Sequence, residues 1–277
     1  MRMEVGRENG DAIELFCEDR GRGTPVVLVH GWPLPSSCWD KQVGVLVDAG
    51  YRVVTYDRRG SGRSSSPSFG YDYDTMADDL AHLLARLDLQ SCMLVGFSTG
   101  CGDIVRYMGT YGAERVERVA LIAPLPPAGL CAERELAQHV DCLFNAVAQR
   151  LSDDRPAFLW EFLAKSHGRD GTPIDHSISE AALRAQWTQA LAGSHHAALA
   201  SVATWRTDLR DDLARIGVPV LLLHGGADTV LPQELTSQPM AAALEDSRLA
   251  VMDGAPHGLL WTHADAVATE LLGFFQE

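Results

Sequence analysis

The chain alternates short apolar runs with longer stretches in which apolar residues recur every three or four positions. Residues 13–17, 26–30, 53–56, 93–95, 119–122 and 220–224 read as strands, and several show no polar alternation, as central strands covered on both faces require. Residues 75–87 carry Met76, Leu80, Leu83, Leu84 and Leu87 at helical spacing, which predicts a helix with one buried face. Strand following helix following strand implies an α/β domain with a mainly parallel sheet. Between positions 122 and 219 the rhythm lapses into helical patterning without a convincing strand, rich in aromatics: Phe144, Phe158, Trp160, Phe162, Trp187 and Trp205. We expect a helical insertion over residues 125–216, with the core formed by 1–124 and 217–277. Most of these aromatics should pack among the inserted helices. Trp32, Pro33, Phe158, Trp160 and Trp187, with Leu231, are expected to face a pocket.

Composition narrows the class of partner. The 277 residues hold 23 Lys plus Arg against 37 Asp plus Glu, a net charge of −14 that repels phosphates and anionic membrane surfaces. Nucleic acid and membrane are therefore not expected partners. Six cysteines (Cys17, Cys38, Cys92, Cys101, Cys131, Cys142) form no CxxC pair and no zinc spacing with histidine, so free thiols in a reducing compartment are expected. No apolar signal core opens the chain and no apolar run reaches membrane-spanning length, which points to the cytoplasm.

Gly96-Phe97-Ser98-Thr99-Gly100 matches G-x-S-x-G. The pattern alone is weak, but residues 92–95 read as a strand before it and 103–108 as a helix after it. That is the setting in which small residues permit a tight turn lifting a serine hydroxyl above the sheet edge. A serine hydroxyl is a poor nucleophile at neutral pH and needs a histidine to take its proton and an acid to orient that histidine. His224-Gly225-Gly226-Ala227-Asp228 puts an aspartate just past a buried strand, and Asp253-Gly254-Ala255-Pro256-His257-Gly258 puts a histidine in a late Gly/Pro-rich loop. Ser98, Asp228 and His257 thus form the expected triad. Asp253 is the rival acid, disfavoured because it shares the loop of His257 and lacks a strand to hold it. His195, His196 and His263 lie in helical stretches, and His30 is expected to brace its loop through a buried hydrogen bond.

The oxyanion of a tetrahedral intermediate needs two fixed N–H donors. Thr99 supplies one, and the loop His30-Gly31-Trp32-Pro33-Leu34-Pro35 should supply the other. Pro33 has no N–H, so the second donor is expected from Trp32, with its indole lining the acyl side of the pocket. Pro33 also biases Trp32 toward extended geometry, and a Trp32 carbonyl aimed into the site could favour peroxide as the attacking nucleophile. The run Asp57-Arg58-Arg59-Gly60-Ser61-Gly62 lacks the Lys-Ser/Thr ending of a phosphate loop and reads as a structural turn near the site.

Four blocks in order resemble the cofactor-free bacterial haloperoxidase, perhydrolase and aryl esterase family of the α/β-hydrolase superfamily: His30-Gly31-Trp32-Pro33, residues 56–64, residues 96–100 and residues 254–259. The resemblance implies an eight-stranded sheet with helices on both faces and a helical cap inserted after strand six. It also implies the same triad, Ser98, Asp228 and His257, and neither metal nor organic cofactor. The chain departs from the family in having Cys101 before Gly102 after the elbow, where a packing role is expected for the thiol. The implied function is a serine esterase on a small ester or acyl substrate, with peroxide replacing water to give a peracid that oxidises halide. A tailoring enzyme of secondary metabolism (lyase, cyclase or lactone-forming) using the same triad is the alternative, and a non-catalytic small-molecule receptor a third. Homo-oligomers are left open.

Overall fold

The computed structural model describes residues 1–126, 134–169 and 178–277, leaving aside the side chains of 134–143. Cys131 and Cys142 lie outside what is described; Cys17, Cys38, Cys92 and Cys101 are free and buried. Eight strands form one sheet: β1 (Arg2–Glu8), β2 (Asp11–Gly21), β3 (Pro25–Val29), β4 (Arg52–Tyr56), β5 (Cys92–Phe97), β6 (Val116–Ile122), β7 (Val220–Gly225) and β8 (Ser247–Met252). They lie in the order β1-β2-β4-β3-β5-β6-β7-β8. The β1–β2 and β2–β4 pairs are antiparallel, and the pairs from β4 through β8 are parallel.

Six of these strands are the apolar runs of the sequence. In β3, Val26 and Leu28 face one layer while Val27 and Val29 face the other, and all four are fully buried, which is why the run shows no alternation. The periodicity misses β1 and β8 for a shared reason: they are the edges. Met3 is the only buried residue of β1, whose register shifts between Glu4 and Gly6, and β8 buries none of its residues.

Eleven helices are described: α1 (Asp40–Asp48), α2 (Tyr73–Arg86), α3 (Gly100–Tyr111), α4 (Arg134–Asp153), α5 (Arg155–Ser166), α6 (Glu180–Ala192), α7 (His195–Thr204), α8 (Arg210–Leu213), α9 (Ser237–Ala243), α10 (Leu259–Thr262) and α11 (Ala264–Phe275). Helices α2 and α3 cover one face of the sheet, burying Leu80, Leu83, Leu84, Ile104 and Met108 against Val27, Leu94 and Leu121. On the other face Trp39, Leu46, Leu271 and Phe274 pack on Val26, Val95 and Leu221, and this layer runs on without a break into Phe144, Phe158 and Trp205 of the insertion. Leu209, Leu213 and Ile216 pack in the α2–α3 layer, so the end of the insertion joins the core. Among the described residues no helix is long and apolar enough to cross a membrane.

Candidate active site

The elbow is forced by backbone crowding. Strand β5 ends at Phe97 and α3 begins at Gly100, leaving Ser98 at φ 52°, a left-handed conformation rare outside glycine. A Cβ on Gly96 would stand 2.9 Å from the Cys101 backbone, and one on Gly100 would stand 2.5 Å from the His30 carbonyl oxygen. Only glycine fits at either position, which is the physical content of G-x-S-x-G. Cys101 is 1% exposed in the α2–α3 layer, where burial pushes its thiol pKa well up. It is inert packing. The close approach falls to Gly102, on which the Tyr73 ring rests.

The structure brings Ser98, His257 and Asp228 together at the carboxyl edge of the sheet. His257 Nε2 lies 3.2 Å from Ser98 Oγ, and His257 Nδ1 lies 2.7 Å from Asp228 Oδ2. Because an ionised carboxylate only accepts, the neutral ring carries its proton on Nδ1 and turns the Nε2 lone pair to the serine. All three residues are at most 5% exposed. The Asp228 carboxylate is held on both oxygens: Val230 and Leu231 N–H groups donate to Oδ1 at 2.8 Å each, while His224 Nε2 stands 3.2 Å from Oδ2. Burial alone would raise its pKa, but the charge of His257 and the hydrogen bonds from His224 and His257 outweigh burial and hold it well below the usual carboxylate range. Asp253 is exposed, with no polar contact to His257.

Two histidines carry roles that sequence reading passed over. His224, fully buried, donates from Nε2 to the Leu231 carbonyl at 2.7 Å and accepts at Nδ1 from Ser237 Oγ, so it fixes the loop that carries Asp228. Its position four residues before the aspartate was a usable signal. His167 packs against Gly258, whose Cβ would stand 2.5 Å from the ring, and donates from Nδ1 to the Leu163 carbonyl. Burial lowers its pKa to about 4, opposed by the hydrogen bond to that carbonyl.

His30 braces its loop as expected: Nδ1 donates to the Gly31 carbonyl and Nε2 accepts from the Arg58 N–H at 2.8 Å. Burial and the neighbouring Arg58 charge keep its ring neutral, with a pKa of about 4. The turn after β4 is structural, as its sequence suggested. Asp57 accepts from Ser36 and Arg63, Arg59 pairs with buried Asp79 at 2.6 Å, and Arg58 grips buried Asp103 through both carboxylate oxygens at 2.6 and 2.7 Å.

The oxyanion loop holds a surprise. No described residue accepts the Thr99 N–H, but the Trp32 N–H is already engaged, donating to Thr99 Oγ1 at 2.9 Å. The Trp32–Pro33 peptide bond is cis.

A cavity of about 690 Å³ opens above Ser98 and His257. Trp32, Phe158, Trp160 and Leu231 line it as expected, joined by Phe144, Phe162 and Trp205. Pro33 and Trp187 do not. The chain is half-buried at Pro33, while Trp187 on α6 sits behind α5, edge-on to Trp160 at 5.8 Å and donating to the Pro156 carbonyl at 2.8 Å. Phe158, Phe162 and Lys165 fall on one stripe of α5 facing the cavity, a spacing legible in the sequence, and Arg169 joins the lining just past the end of that helix. A second depression, lined by Asp40, Asp57 and Arg63, has neither a histidine nor Ser98 in its lining.

Comparison with known proteins agrees with this fold. The profile of the alpha/beta hydrolase fold family matches residues 24–264. A Synechocystis protein carrying the provisional name non-heme chloroperoxidase is 46% identical over 99% of both chains. A bifunctional esterase/perhydrolase from Acinetobacter calcoaceticus is 33% identical over 96% of this chain and 97% of its own. The crystal structure of a bromoperoxidase from Bacillus anthracis superposes with a TM-score of 0.91 at 37% identity, covering 100% of this chain and 99% of that one.

Proposed function

The chain belongs to the α/β-hydrolase family, in its non-heme haloperoxidase and esterase branch, and on that premise we propose that it cleaves small carboxylic esters through a Ser98–His257–Asp228 triad. The observation that carries this reading is the hydrogen-bond chain from Asp228 Oδ2 through His257 to Ser98 Oγ, 2.7 and 3.2 Å long, at the floor of an apolar cavity. Ser98 Oγ attacks the ester carbonyl while its proton passes to His257 Nε2. Asp228, already a carboxylate, stabilises the imidazolium and keeps Nε2 directed at the serine. The tetrahedral intermediate collapses as the alcohol leaves with the proton from Nε2, and the Ser98 acyl ester remains. Water, deprotonated by the same nitrogen, then releases the acid.

Hydrogen peroxide in place of water releases a peracid by the same step, and the peracid oxidises halide to hypohalous acid. The names of the Acinetobacter and Synechocystis relatives favour this side reaction. Among the described residues between β6 and β7, those of α4 and α5 together with Trp205 act as the cap over the acyl group. The test is turnover of p-nitrophenyl acetate, and of acetate plus hydrogen peroxide with bromination of monochlorodimedone, by wild type and Ser98→Ala. Both activities should vanish in the variant, and ester turnover that survives the substitution overturns the triad.

A further inference from the structure

The hydroxyl of Thr99 sits where a bystander would be expected. A threonine hydroxyl has two acceptor sites and one hydrogen. Trp32 N–H donates to Thr99 Oγ1 at 2.9 Å, and Arg58 Nη1 donates to the same atom at 3.0 Å. Both acceptor sites are thereby taken, and among the described residues nothing accepts the remaining O–H. That hydrogen must point away from both donors. Thr99 lines the cavity beside Ser98 and His257, on the residue whose own N–H is the expected first oxyanion donor.

The second partner is built to stay. Arg58 is 7% exposed and its guanidinium is clamped by Asp103, fully buried on the first turn of α3, while its backbone N–H is held by His30. A buried guanidinium cannot be deprotonated, and away from water it strengthens the chain of hydrogen bonds that it begins. A hydroxyl that receives one neutral and one cationic donor becomes a better donor itself. The ion pair between Arg58, in the turn after β4, and Asp103 of α3 therefore ends at the reacting centre.

We propose that the Thr99 hydroxyl is a catalytic residue that donates to the oxyanion beside the Thr99 N–H, with Trp32 N–H and Arg58 as positioning groups that aim and polarise it. The proposal rests on the serine-triad reading. The proton stays on Thr99 throughout; the hydrogen bond shortens as the ester carbonyl oxygen becomes an alkoxide in the tetrahedral intermediate and relaxes when the acyl-enzyme forms. The opposite reading, in which Thr99 merely occupies an N–H that Trp32 would otherwise offer to the oxyanion, predicts the opposite sign.

The experiment compares wild type with Thr99→Val, which keeps the shape and removes the O–H, and Thr99→Ser, which keeps the O–H. Loss of one oxyanion donor lowers kcat of p-nitrophenyl acetate hydrolysis by roughly 10- to 100-fold in Thr99→Val with KM within about 2-fold, while Thr99→Ser stays within about 3-fold of wild type. Inactivation by an aryl phosphonate, whose phosphoryl oxygen would fill the same hole, should slow in parallel. Arg58→Lys should lower kcat in the wild-type background and add little on top of Thr99→Val. A Thr99→Val kcat equal to or above wild type overturns the proposal, as does a full additional loss from Arg58→Lys in the double variant. If Thr99→Val does not fold, Thr99→Ala is read in the same way. Turnover that is unaffected by Ser98→Ala would instead remove the triad reading itself.

Discussion

The elbow region and the helices between β6 and β7 meet across one cavity, yet they are built on different principles. Around the elbow, glycines are fixed because an added Cβ would stand within 3 Å of its neighbours, and the buried carboxylates Asp57, Asp79 and Asp103 are each matched by a cation or a backbone donor. The opposite wall is a layer of rings: Trp32 stands edge-on to Phe162 and Trp205, each at 5.2 Å, and Phe144 meets Trp205 at 5.3 Å. Apolar burial is non-directional and tolerates volume-conserving exchange of side chains, whereas ion pairs and close-packed glycines do not. The molecule thus fixes its chemistry on the sheet side and leaves the volume of the substrate to the helices. Changes on the sheet side should therefore remove kcat, and changes on the helical side should shift KM and substrate choice.

The sharpest break of this division is Ser98→Ala, expected to cost about 10⁴-fold or more in kcat while the thermal midpoint stays close to wild type. Next comes the acid. Asp228→Asn should lower kcat by about 10³- to 10⁴-fold because the amide cannot fix the Nδ1–H tautomer, whereas Asp253→Asn on the exposed loop should stay within about 2-fold. The reverse ranking in steady-state assays moves the acid to Asp253. On the helical side, Phe158→Ala should raise KM for short-chain p-nitrophenyl esters about 5- to 10-fold and extend turnover to longer acyl chains, with kcat little changed. Trp187→Ala, behind the wall, should leave the chain-length profile alone and lower only the melting temperature. A profile shifted equally by both would place Trp187 in the pocket.

The smallest effect concerns pH. His167 is neutral in the fold down to about 4, against an ordinary histidine value of 6.5. Its folded pKa is lowered, so between those values the unfolded chain binds a proton that the folded chain refuses, and stability falls as pH drops from 6.5 toward 4. His167→Gln should flatten this acid limb by up to one proton, about 3 kcal/mol across the whole window. Melting curves of the two proteins from pH 4 to 7 read the difference, and parallel limbs would mean that His167 is charged in the fold.

Legibility in the sequence followed the same division. Ser98, Asp228 and His257 stood out because a strained turn and two strand-end loops need particular residue types at particular places. The six central strands were legible because burial on both faces leaves no polar alternation, and β1 and β8 were not because edge strands fully bury almost none of their residues. Trp187 was misplaced because an aromatic on an inserted helix looks the same whether it faces a ligand or a neighbouring helix. The engagement of the Trp32 N–H could not be read at all, since it depends on a hydroxyl 67 residues away.

The most direct measurement is the site and stoichiometry of covalent capture. Purified protein treated with a p-nitrophenyl alkylphosphonate should release one equivalent of p-nitrophenol per chain, lose esterase and peracid-forming activity together, and carry the adduct on Ser98 in peptide mass spectra, with EDTA making no difference. An adduct on any other residue, or full activity after stoichiometric capture at Ser98, would contradict the account.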